Sequence, residues 1–140
     1  MGKIDYREIE DLQGQVNSHY NSISEATATI SSIDAKLAKL RSAKQSVGNI
    51  RSEIHEIKIS VMVKDDQPQW NGQQKENFGH QWEGFRQDFS ACQRELDAFH
   101  DAICDEITRL ENQKLDQQSF IGWCQAQINN LGNFIEKLLN

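Results

Sequence analysis

A chain of 140 residues, 37% hydrophobic and 26% charged, is about one domain's worth and can support a folded state. One proline and eight glycines exclude a many-stranded sandwich or barrel, which needs a turn every ~8–12 residues. A net charge of −6 without any Lys/Arg cluster excludes a phosphate-tracking surface, so nucleic acid is not an expected partner.

The opening stretch MGKIDYREIEDLQ has no apolar segment of the secretory kind. The longest apolar run, Ile59 to Val63, is far short of the ~20 residues that span a bilayer. The expectation is a cytoplasmic protein without membrane insertion.

From Ile9 onward, residues recur at spacings of three and four: Ile9, Leu12, Val16, His19, Ile23, Ala26, Ile30, Ile33, Leu37, Leu40, Lys44, Val47, Ile50, Ile54, Ile57 and Val61. This heptad seam predicts a first helix over about 4–63. The segment KDDQPQWNG, at about 64–72, holds the single proline and combines helix-stop with helix-start signals. Asp66 suits an N-cap with Gln69 three residues on, Pro68 suits a first helical turn, and Gly72 can take a backbone conformation that side chains resist. Trp70 between them is expected to lie over the end of the first helix, against Val61 and Val63. A second helix is predicted over about 73–139, on the seam Phe78, Trp82, Phe85, Phe89, Cys92, Leu96, Phe99, Ile103, Glu106, Leu110, Lys114, Gln117, Ile121, Cys124, Ile128, Leu131, Ile135 and Leu138.

Two helices with one short connection pack antiparallel, giving an all-α fold in which residues 1–140 form a single long two-helix hairpin. At ~1.5 Å per residue each arm runs roughly 90–100 Å, as a coiled-coil-like rod. With the turn centred near 67 or 68, facing residues carry numbers summing to about 135. Lys114 and Gln117 then lie opposite His19, and Gly14 shares a level with Gly122. Phe78, Trp82, Phe85, Phe89 and Phe99 are expected in the core near the turn. Tyr6, Tyr20, Phe120, Trp123 and Phe134 lie off the seam at the far end, exposed and suited to binding a partner.

Catalytic and metal chemistry finds little here. His100 and Cys104 stand one helical turn apart, with Asp97, Asp101 and Asp105 nearby, but two ligands do not make a metal site. His19, His55 and His80 are far apart, with no nucleophile at a matching height. No glycine-rich phosphate loop is present, and a two-helix rod offers little concavity. The expectation is no enzyme, no cofactor and no metal. Cys92, Cys104 and Cys124 form no CxxC pair and are expected as reduced, mostly buried thiols.

A Trp-x-Gly at the turn, formed by Trp70 and Gly72 with Phe78 following, resembles the WXG-motif helical hairpins exported by the type VII (ESX) secretion system. The chain is longer than those proteins usually are. With a first helix of the ISSIDAKLAKLRSAKQSVGNI kind, it is most similar to the YwqH-like helical proteins associated with LXG-domain toxins of Gram-positive bacteria. The WXG export signal is an aromatic residue followed four positions later by an acid. Phe120 and Phe134 are followed at that spacing by Cys124 and Leu138, so the candidate signal is Tyr6 with Glu10. The resemblance implies a non-enzymatic targeting partner, or chaperone, that binds the N-terminal helical domain of an LXG-type toxin, with or without a second small helical protein. Such a protein would promote export by engaging a component of the secretion machinery, and the resemblance also allows that it is itself secreted with its cargo by a route that needs no signal peptide. The competing expectation is a self-assembling coiled-coil scaffold or spacer. A membrane-active hairpin is disfavoured because the ends and tip lack Lys/Arg-rich amphipathic character.

Overall fold

A computed structural model describes residues 5–64 and 72–140, with only the backbone described at 62–64 and 73–75. It is all-α: α1 spans Tyr6–Lys64 and α2 spans Gly72–Leu139, and the two helices pack together. Asp5 caps α1, its Oδ1 accepting hydrogen bonds from the backbone N–H of Arg7 at 3.1 Å and of Glu8 at 3.2 Å. Those are orphan donors of the first turn. The predicted cap Asp66, with Gln69, Pro68 and Trp70, lies outside the described residues. Gly72 opens α2 with φ at +65°, the left-handed region that favours glycine. At the other end, Lys137 lies in the last turn, where a cation complements the helix dipole.

The chain divides into two compact units, each with segments of both helices. Unit 1 comprises Met1–Ala38 and Thr108–Asn140, and unit 2 comprises Lys39–Ile107. In unit 1, Ile9, Ala26, Ile33 and Leu37 of α1 are buried, as are Leu110 and Cys124 of α2. Leu12, Val16, His19, Ile23, Ile30, Ile121, Ile128, Leu131, Ile135 and Leu138 are half-buried around them. These are the a and d positions of an unbroken heptad, with a at Ile9 and d at Leu12 on α1, and a at Lys114 and d at Leu110 on α2. The seam predicted for this stretch is the one observed.

Unit 2 keeps the same heptad, although Lys44, an a residue expected on the seam, is exposed, and here the prediction needs further correction. Val47, Ile103 and Ile107 are buried, while Arg51, Ile54, Lys58 and Val61 of α1 and Phe89, Gln93, Leu96 and His100 of α2 are half-buried. Ile50, Ile57, Phe85, Cys92 and Phe99, expected on the seam, are exposed, and Ile107 is buried in place of Glu106. Each of the predicted residues sits one position before the true a position, at g. Strict 3-4 alternation is a geometric demand of continuous packing, and it outweighs the choice of the more apolar neighbour. Arg51 and Lys58 occupy a positions half-buried, as side chains with long aliphatic stems and a charged tip can do.

Each unit is antiparallel, at a register other than the predicted one. In unit 2, Arg51 Nε lies 2.8 Å from Asp97 Oδ1; in unit 1, Lys114 Nζ lies 2.7 Å from Asp34 Oδ1. Both pairs of residue numbers sum to 148, not 135. The difference, about thirteen residues or roughly 20 Å along a helix, exceeds any side chain's reach. Lys114 therefore lies level with Asp34 and not with His19, and Gly14 does not share a level with Gly122.

Candidate partner-binding surface

A helix that gives its a and d residues to the core leaves its e and g residues on the two edges of the seam. Reversing one helix against the other brings e edges together on one flank and g edges together on the opposite flank. In unit 1 this pattern sorts the aromatic residues. Tyr6 and Tyr20 are e residues of α1, with 72% and 56% of their surface exposed. Phe120 and Phe134 are g residues of α2, exposed to 41% and 60%, and Trp123, at the adjoining c position, is exposed to 54%. All five side chains face solvent, but on two flanks and not as one patch.

The g-flank group is the better organised. Phe120 and Trp123 stack with ring centroids 6.1 Å apart and planes 19° apart. The indole also meets His19 of α1, edge to face, at 5.5 Å and 79°. Such pairs contribute ~0.5–1.5 kcal/mol beyond area burial, so Trp123 is held in place by its neighbours while leaving half its surface free. Rigid, half-exposed aromatic side chains lose little entropy when a partner covers them, which is what an interface anchor requires. Tyr6 and Glu10, the candidate export signal, lie one turn apart near the start of α1, both exposed. Of the turn motif, Gly72 is described and Trp70 is not.

In unit 2, Phe78, Trp82, Phe85 and Phe89 form a continuous ladder of rings along α2, with successive centroids 6.2, 5.6 and 5.6 Å apart. Trp82 and Phe89 turn inward at d positions; Phe85 stands at the edge, 45% exposed, and Phe99 is exposed to 56%. The expectation that both are core is overturned by the heptad phase. On the e flank an open groove of about 720 Å³ runs between the helices, lined by Gly48, Ser52 and His55 of α1 and Ser90, Arg94 and Asp97 of α2, with the Arg51–Asp97 pair among its walls. Ile54 and Leu96 also line it, among side chains that are mostly small, polar or charged.

His100 and Cys104 do meet, Sγ lying 3.8 Å from Nδ1, but no group of three or more metal-ligating side chains gathers among the described residues. The cysteines differ in access: Cys92 is exposed, Cys104 half-buried and Cys124 buried, so one thiol is buried where most were expected to be. No helix among the described residues is long and apolar enough to cross a membrane.

These features define an all-α protein of two packed helices whose distinctive surface is apolar and aromatic. The YwqH-like family model matches residues 14–133, nearly the whole of both helices, and the chain belongs to that family. No curated protein matches the chain.

Proposed function

We propose that this chain is a non-enzymatic targeting partner that binds the N-terminal helical domain of an LXG-type toxin and promotes its export by a type VII secretion system. The observation that carries the reading is the Phe120–Trp123 stack, braced on His19 and left half exposed on the flank of a helix pair. Membership of the YwqH-like family supplies the context. Helices with an apolar surface wider than one neighbour can cover recruit a further helix, and the toxin's helical domain provides it. Tyr6 with Glu10, and Trp70 with Gly72, are the elements offered to the secretion machinery. The test is co-expression with an LXG-domain toxin. A stable heteromer, with toxin in the medium only when this chain is present, supports the reading. A tight homo-oligomer indifferent to the toxin domain would replace it with the scaffold reading.

A further inference from the structure

Unit 2 has two unlike flanks. The e flank is the polar groove, whose walls are shared by both helices. On the opposite, g flank stand Ile50 and Ile57 of α1, exposed to 44% and 52%, and Phe85 and Phe99 of α2, exposed to 45% and 56%, with Cys92 exposed between them. Because the g edges of antiparallel helices share a side, these residues form a lengthwise apolar stripe over the seam. Two cations, Lys58 and Arg86, line a small cavity beside Phe85 at one end of the stripe, and along its c-position rims the charge through the middle is acidic. The adjoining c positions there are Glu53 on α1 and Asp88 and Glu95 on α2, all exposed. Among the described residues of this unit the one basic c residue is Lys39, its first residue.

We propose that the g flank of unit 2 is the seat of an amphipathic helix from a partner protein, whose apolar stripe is bordered by Lys and Arg. The apolar residues supply the burial and the acidic rim supplies orientation and selectivity. A second copy of this chain is a poor occupant, because it would set Glu53, Asp88 and Glu95 against the same acids of its partner, and like charges brought together oppose association. The inference rests on the reading that this chain works by covering another protein's helix, and adds where one helix sits and what charge it carries.

The experiment uses the full chain and two fluorescent three-heptad peptides with Leu at a and d, one flanked by Lys at e and g and the other by Glu. Anisotropy is expected to show the Lys-flanked peptide binding at least tenfold more tightly than the Glu-flanked one. Ile57→Ser with Phe99→Ser should weaken it tenfold or more. Glu53→Gln, Asp88→Asn and Glu95→Gln together should erase most of the preference between the peptides. Saturating Lys-flanked peptide should slow alkylation of Cys92 several-fold and leave Cys104 unchanged, a readout that needs no variant. Equal binding of the peptides, or binding that leaves Cys92 alkylation at its free rate, overturns the proposal. So does a self-associated chain in which Cys92 is already shielded. A chain that takes the Lys-flanked peptide in this way but ignores the LXG domain keeps the seat and removes the toxin.

Discussion

Lys114 Nζ lies 2.7 Å from Asp34 Oδ1, so a lysine at a seam position of α2 is answered by an aspartate on the edge of α1. The two side chains keep 32% and 49% of their surface exposed, which makes the pair a register mark more than a source of stability. A polar residue at an a position costs stability and selects one alignment among several. Lys114→Leu should therefore raise the unfolding free energy by about 1 kcal/mol, since it adds apolar surface to the seam and leaves Asp34 in water. Asp34→Ala should change it by less than ~1 kcal/mol. Urea melts of the two variants decide this; a large loss in Lys114→Leu would mean that the pair is a stability element.

Seam phase in unit 2 gives a second contrast. Ile107 is buried and Phe99 is exposed, although Phe99 is the larger side chain. Ile107→Ala should cost about 2–4 kcal/mol, as truncation of a buried aliphatic residue does. Phe99→Ala should stay within ~0.5 kcal/mol of wild type. The reverse order in a denaturant series would restore the seam through Phe85, Cys92 and Phe99.

Gly14 and Gly122 lie inside helices, and a Cβ built on either meets nothing within 4 Å. Each Gly→Ala change should stabilise the protein by ~1 kcal/mol, by narrowing the unfolded ensemble. Thermal melts of the single and double variants check the size and the additivity. A loss at either position would mean that the added methyl meets a neighbour.

Thiol access predicts an order of modification. Cys92 should react with a small alkylating reagent at a rate near that of a free thiol, Cys104 more slowly, and Cys124 only with unfolding. Mass spectrometry of partially labelled protein reads the order directly. Early modification of Cys124 would contradict the packing around it in unit 1.

What the sequence makes legible follows from where its apolar residues agree with the heptad. From Ile9 to Leu40 they coincide, and the seam of unit 1 can be read without a structure. In unit 2 they diverge: a and d demand Arg51, Lys58, Gln93 and His100, whereas the more apolar residues are Ile50, Ile57, Cys92 and Phe99. The slip does leave a trace in the spacing, because the predicted seam takes two successive steps of three at Lys44, Val47 and Ile50. It also takes two successive steps of four at Glu106, Leu110 and Lys114. Register was beyond reach for a different reason. It depends on pairs such as Arg51–Asp97 and Asp34–Lys114, whose members are ordinary surface charges until the helices are aligned. The exposure of Tyr6, Tyr20, Phe120, Trp123 and Phe134 was readable from their positions off the seam. Their division between two flanks was not, since it needs the e and g edges to be told apart.

The central claim, that Phe120 and Trp123 anchor a toxin's helical domain, is tested most directly by calorimetric titration of the LXG N-terminal domain into wild-type chain and into the Phe120→Ala/Trp123→Ala variant. Contact with His19 means that the double variant should lose about 1 kcal/mol of its own stability. Its binding should weaken by ~2 kcal/mol or more, the scale of an interface hot spot. Unchanged affinity in a variant that is still folded would contradict the account and place the toxin's contact elsewhere on the molecule.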